Sequence, residues 1–202
     1  MKDYSAKRYG QRTHEMMKDV LMDPKAAGPA VYYHLVRGGK DLKNFTIWEP
    51  GKVGEEYIKT YGHYHVGNLD ETYWVLYGEG IAVVQKRVTG PDGEPIDDQI
   101  GEIYAVHVKI GDLLYMPAGW GHLVANIGQT FLVTADDSPV NFEEIDPVSL
   151  PGHADYEAVK KMRGFAYYVV EKEGKPALVK NPLYGRVPDV EIIEPAQYPL
   201  KK

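Results

Sequence analysis

Two histidine-bearing segments constrain the fold of this chain more than any other feature. Their notable residues are Gly62, His63, Tyr64, His65, Glu71 and Gly78 in the first segment, and Gly111, Pro117, Gly119, His122 and Asn126 in the second. His63 and His65 are two positions apart, so on a β-strand both point to the same face. Glu71 and His122 must then come from neighbouring strands to close one site.

Three imidazoles and one carboxylate suit a divalent transition metal such as iron, nickel, manganese or zinc. The chain has no cysteine, so a metal must be held by nitrogen and oxygen atoms. The remaining histidines considered, His14, His34 and His107, have no ligand-like spacing and are assigned no role.

Short β-branched and aromatic runs, separated by glycine and proline turns, predict an all-β sandwich or barrel. The predicted strands cover residues 31–36, 44–49, 56–59, 72–76, 81–88, 103–108, 112–116, 122–126 and 131–135, with a loop at 89–99. We expect three segments: an N-terminal extension (1–29), a barrel core (30–136) and a C-terminal loop, helix and hairpin packed on the barrel (137–202). Short helices are predicted at 11–22, with Thr13 as a cap, and at 155–163, followed by a hairpin over 165–180 and an extended tail.

Composition narrows the class of protein. The 202 residues carry a net charge of -6, which argues against a general nucleic-acid binder. No apolar run approaches the roughly 20 residues that span a bilayer, and the first residues form no signal-peptide core. We expect a cytoplasmic protein that acts on a small molecule.

The two segments resemble the paired motifs of the cupin superfamily. The second motif matches at every position, whereas Glu71 follows His65 by six residues, slightly more than usual. The resemblance implies a double-stranded β-helix, a small jelly-roll barrel, with metal bound by His63, His65, Glu71 and His122.

Residues 44–54, 60–65, 71–73 and 152–156 narrow this resemblance to the cupin-type glucose-6-phosphate isomerases of archaea. The resemblance covers roughly residues 30–185. It implies a homodimeric aldose–ketose isomerase of glycolysis and gluconeogenesis, interconverting glucose 6-phosphate and fructose 6-phosphate. We expect iron as the metal, with nickel, manganese or zinc as alternatives.

The family pattern also implies roles for individual residues. Thr46, Thr60 and Gly62 line the sugar-phosphate pocket, Tyr73 faces the substrate, and His153 and Tyr156 close over it. Lys52 could add positive charge for the phosphate. Family members carry a tyrosine just after the last core strand, but here that region reads Thr134-Ala135-Asp136, so either another residue serves or the following insertion rebuilds that wall.

Several alternatives stay open at this point. Glu71 can be a metal ligand only, or also the base that moves a proton between neighbouring sugar carbons; a direct hydride shift is the rival route. Cupins host many chemistries, so a metal-dependent dioxygenase and a non-catalytic sugar-binding cupin are the alternative functions.

Overall fold

The computed structural model describes residues 9–38, 43–139 and 154–202, and about half of them are in β-strands. The strands are β1 (Tyr9–Thr13), β2 (Val31–Val36), β3 (Asn44–Trp48), β4 (Lys52–Val53), β5 (Glu56–Tyr57), β6 (His63–His65), β7 (Glu71–Tyr77), β8 (Glu79–Thr89), β9 (Pro95–Lys109), β10 (Leu113–Met116), β11 (Gly121–Asn126), β12 (Leu132–Asp136), β13 (Ala154–Asp155), β14 (Tyr167–Lys172), β15 (Lys175–Lys180) and β16 (Ile192–Ile193). The helices are α1 (His14–Met17), α2 (Glu157–Lys161) and the 3₁₀ turns Lys18–Val20 and Pro195–Gln197. None of the described helices combines the length and the apolar character needed to cross a membrane.

Two six-stranded sheets enclose the core. Their strand orders are β1-β2-β3-β12-β7-β10 and β13-β6-β11-β8-β9-β16, and a smaller sheet runs β15-β14-β5-β4. Trp48 of the first sheet donates its indole N–H to the carbonyl of Val124 in the second, at 3.1 Å. Both residues are buried, so the two sheets share one interior. The predicted all-β, two-sheet architecture is confirmed.

The N-terminal segment differs from the prediction of a helix over 11–22. Tyr9–Thr13 form β1, which pairs antiparallel with β2, and only His14–Met17 of the predicted range are α-helical. Thr13 does cap this helix, since its Oγ1 accepts from the backbone N–H of Met16 at 3.4 Å. A partner strand is available at β2, and tertiary pairing therefore overrides the local helical tendency.

The predicted loop over 89–99 is much shorter in the structure. A tight turn closes between Gly90 and Glu94, with Gly93 at a φ of +86°, and β9 begins at Pro95, opposite Thr89.

In the C-terminal part of the chain, helix α2 covers only 157–161 of the predicted 155–163. The hairpin β14–β15 turns at Glu173-Gly174, as predicted, and both residues have positive φ, as a two-residue hairpin turn requires.

Both outer segments contribute strands to the main sheets, β1 to one, and β13 and β16 to the other. The division of the chain at residues 29/30 and 136/137 stays a prediction.

Gly121 is required by the close approach of Tyr64, the residue between the two histidines of β6. The two residues face each other across β11 and β6. A Cβ on residue 121 would lie 2.7 Å from two atoms of the Tyr64 ring. That ring is buried between Phe165, Arg87 and the side chain of Gln85. It has no space to withdraw into, and it anchors the histidine strand from behind.

We therefore predict that Gly121→Ala destabilises the protein by about 1–3 kcal/mol, the usual cost of overpacking a filled core. Gly101→Ala is the matched control, because its nearest side-chain atom would be 3.7 Å away and its φ is ordinary. Urea denaturation should place Gly101→Ala within about 0.5 kcal/mol of the natural chain. Equal stability of the two variants would contradict the account of Tyr64.

Candidate metal centre and substrate pocket

Three neighbouring strands bring the four predicted metal ligands together. His63 and His65 project from the same face of β6, while Tyr64 points to the opposite face. His122 on β11 lies directly opposite His63, and Glu71 opens β7 in the facing sheet. The motif predicted from spacing is thus a cluster in space.

The ligand atoms of this cluster lie close enough to share one ion. All four fall within 4.8 Å of one another. The Glu71 Oε2 atom is 3.1 Å from His65 Nε2 and 3.2 Å from His122 Nε2. Two ligands at right angles around an ion, each about 2.1 Å from it, would be roughly 3 Å apart. The donor set and its spacing therefore fit a divalent transition metal.

The electrostatics of the cluster suit a cation as well. Burial lowers the pKa of His65, and burial with the neighbouring His63 and His65 rings lowers the pKa of His122 further. These imidazoles are therefore uncharged at neutral pH, which is the form that binds metal. Burial raises the pKa of Glu71 to about 7, and a bound cation would favour its ionised form.

A second layer of polar groups orients Glu71. Its Oε1 atom accepts a hydrogen bond from the Ser138 hydroxyl. The Ser138 backbone N–H donates to Asp136 Oδ1 at 3.1 Å, and Asn44 donates to the same oxygen at 2.8 Å. Burial, followed by the charge of Glu71, raises the pKa of Asp136 to about 8. The carboxylate of Glu71 is thereby fixed at both oxygens.

One pocket opens onto the cluster, and it contains most of the residues expected to bind substrate. Its lining includes Thr46, Thr60, Gly62, Tyr73 and Tyr156 beside His63, Glu71 and His122. The Tyr73 hydroxyl lies 3.1 Å from His122 Nε2. Thr60 Oγ1 accepts from the backbone N–H of Val124 at 3.0 Å, which leaves its hydroxyl proton free to be donated to a ligand.

Lys52 does not line the pocket, contrary to the prediction that it adds positive charge for the phosphate. It lies on β4, where Val53 is buried, and strand alternation therefore turns Lys52 outward. Its Nζ atom pairs with Glu171 Oε1 at 2.5 Å, and it is absent from the pocket lining. His153 lies outside the described residues, so its expected role stays a prediction.

Several pocket residues were missed by the sequence analysis. Arg12, Tyr33 and Arg37 line the pocket from the β1–β2 hairpin, and all three are buried. A predicted helix at 11–22 hid the contribution of Arg12, whereas the alternation Tyr33-Leu35-Arg37 was a signal available in the sequence. In the region where the family pattern has a tyrosine, Asp136, Ser138 and Pro139 line the pocket.

Comparison with known proteins agrees with this geometry. A family model described as glucose-6-phosphate isomerase (GPI) matches residues 37–184. The glucose-6-phosphate isomerase of Thermococcus onnurineus (strain NA1) is 33% identical over 160 residues, which are 76% of this chain and 72% of that relative. The enzyme of the same name from Pyrococcus furiosus is 33% identical over 143 residues, or 70% of this chain and 63% of the relative.

Likeness to solved structures is weaker. One described as a predicted oxalate decarboxylase from Thermotoga maritima is 22% identical, with a TM-score of 0.31, over 47% of this chain and 62% of that one. The family match, by contrast, covers more than half of the chain and includes all four clustered ligands. The chain belongs to the glucose-6-phosphate isomerase family.

Proposed function

We propose that this protein is a metal-dependent aldose–ketose isomerase that interconverts glucose 6-phosphate and fructose 6-phosphate. The observation that carries the proposal is a pocket whose lining combines two chemically different sets of groups. His63, Glu71 and His122 of the metal cluster line it, and so do the hydroxyl-bearing Thr46 and Thr60 and the backbone of Gly62. An open-chain sugar phosphate has complementary ends, with a carbonyl and its neighbouring hydroxyl at one and a phosphate at the other.

Substrate contacts follow from the lining. The hydroxyl groups of Thr46 and Thr60 and the backbone N–H of Gly62 are donors for phosphate oxygens. Gly62 has a φ of +80°, and a Cβ there would lie 2.9 Å from the Phe165 ring, so only glycine leaves the backbone in this position. The Tyr156 ring packs 5.2 Å from that of His63 and covers the cluster; the same covering role is proposed for His153.

Proton transfer is assigned to Glu71. When bound by His63, His65, Glu71 and His122, a divalent metal would polarise the substrate carbonyl and stabilise negative charge on the adjacent oxygens. Glu71 is the carboxylate of this cluster, and it is buried among imidazoles with its Oε1 atom held by Ser138. Its carboxylate removes a proton from one sugar carbon and returns it to the next, with Tyr73 placed to donate to a substrate oxygen.

Other expectations rest on the resemblance alone. Iron as the metal, a homodimer, a cytoplasmic location and a place in glycolysis and gluconeogenesis stay predictions.

His63→Ala and His122→Ala should each reduce bound metal and isomerase activity together, because each removes one ligand of the cluster. His107→Ala is the matched control, since His107 is partly exposed and pairs with Glu79. Elemental analysis measures the metal occupancy of each variant. Full metal occupancy in both His63→Ala and His122→Ala would remove these residues from the site.

The affinity of the natural chain for the metal should also weaken below about pH 7, where protonation of Glu71 competes with the cation.

Glu71→Gln tests the proton-transfer step. The variant keeps the size of the side chain and one oxygen, but it cannot act as a base. Turnover of the metal-loaded variant should fall by about 10²- to 10⁴-fold, the usual range for positioned acid–base catalysis. Glu79→Gln, an exposed carboxylate on β8, should turn over normally.

Isotope incorporation separates the two routes. Reaction of the natural chain in heavy water should place some deuterium at C1 or C2 of the product if an enediol forms. Near-normal turnover by metal-loaded Glu71→Gln, with no label in the product, would exclude Glu71 as the proton carrier and favour a hydride shift.

A further inference from the structure

Two arginines converge on the pocket from the N-terminal β-hairpin. Arg12 on β1 lies opposite Tyr33 on β2. Tyr33, Leu35 and Arg37 then alternate along the same face and line the pocket with Arg12. Arg12 is 2% exposed and Arg37 is 7% exposed, so both guanidinium groups are desolvated.

Neither arginine forms an ion pair among the described residues. The charge of Asp136, which lines the same pocket, favours the charged form of Arg37 without forming an ion pair with it. Arg12 Nη1 donates a long hydrogen bond to the carbonyl of Gln11 at 3.4 Å, and Arg37 Nη1 is buried with no hydrogen-bond partner. A buried cation without a partner is costly, so this arrangement is one that an anionic ligand would stabilise.

The two cations line the same pocket. Burial lowers the pKa of Arg37, and the charge of Arg12 also lowers it; a guanidinium nevertheless stays charged at neutral pH. A guanidinium group offers N–H donors that match a phosphate in geometry and charge. A neutral sugar offers no charge to balance them.

The arginines are also within reach of the metal cluster. Both arginines line the same pocket as His63, Glu71 and Tyr156, and the Tyr156 ring lies 5.2 Å from that of His63. A ligand that carries a phosphate at one end and a carbonyl at the other can therefore occupy both sites.

We propose that Arg12 and Arg37 bind the phosphate group of the substrate, so that the N-terminal hairpin is part of the active site. This inference rests on the proposed function for the identity of the ligand. The family match begins at Arg37 and leaves Arg12 outside. The hairpin thus supplies charge that the hydroxyl groups of Thr46 and Thr60 lack.

Steady-state kinetics with fructose 6-phosphate tests the proposal. Arg12→Gln and Arg37→Gln should each raise KM by about 10- to 100-fold, as expected for loss of a charge-assisted hydrogen bond. Arg37→Lys should recover part of the loss. Lys52→Gln is the matched control, because it removes a cation that pairs with Glu171 on an exposed edge and should leave KM unchanged.

Thermal unfolding without ligand separates binding from a structural role. Removing an unbalanced buried charge should keep or raise the melting temperature of Arg12→Gln and Arg37→Gln. A structural arginine predicts the opposite: a clear loss of stability in both glutamine variants together with an unchanged KM in both of them would overturn the proposal.

Inorganic phosphate makes the test independent of catalysis. Phosphate should raise the melting temperature of the metal-loaded natural chain, and this effect should be lost in Arg12→Gln and Arg37→Gln but kept in Lys52→Gln. If the natural chain binds phosphate through the arginines but does not isomerise fructose 6-phosphate, the proposed function fails and the anion site stands. If it isomerises and both glutamine variants keep its KM and its response to phosphate, the arginine proposal is wrong.

Discussion

The buried carboxylate of Glu71 is the constraint on which the rest of the site depends. A carboxylate that is 3% exposed is unfavourable unless hydrogen bonds or a cation compensate it. Here one oxygen faces His65 and His122, and the other is held by the hydroxyl of Ser138. The two sheets must meet at this point, because Glu71 belongs to one and the histidines to the other. The packing of the two sheets and the geometry of the metal cluster therefore depend on each other.

Support for this arrangement comes from both sides of the sheets. Behind β6, Tyr64 fills the space that Gly121 leaves open, which fixes the strand that carries two histidines. At the end of β11, Asn126 is fully buried, and its amide donates to the carbonyls of Glu49 and Thr130. The asparagine that closes the second histidine motif is thus a structural residue. It secures the turn that leads into β12 and on to the wall of the pocket.

The cluster could be predicted from sequence because the information is local. A spacing of two places His63 and His65 on one face, and glycine and proline positions fix the turn before His122. Charge in the pocket could not be predicted in the same way. Lys52 is a candidate from sequence because a phosphate needs a cationic donor, but the direction of its side chain depends on which neighbour is buried. Arg12 enters only through pairing of β1 with β2, a non-local contact that no periodicity within the first segment reveals.

The pocket is lined both by residues of the cluster that can hold a cation and by two buried arginines. Electrostatic complementarity of this kind selects ligands whose charge lies at one end. The hydroxyl groups of the lining can orient a bound ligand through hydrogen bonds, and the guanidinium groups can balance a negative charge on it. If the arginines bind the phosphate as proposed, residues remote from the reacting carbons would set the specificity for a phosphorylated substrate, and their binding energy would help to hold the reacting end in place.

A coupled assay for glucose 6-phosphate formed from fructose 6-phosphate, before and after treatment with a chelator, tests the central claim most directly. The account predicts activity in the metal-loaded protein, loss of activity after the chelator is applied and removed, and recovery when a divalent transition metal is added back. Undiminished turnover by protein shown to be free of metal, or no turnover by protein shown to be fully loaded, would contradict it.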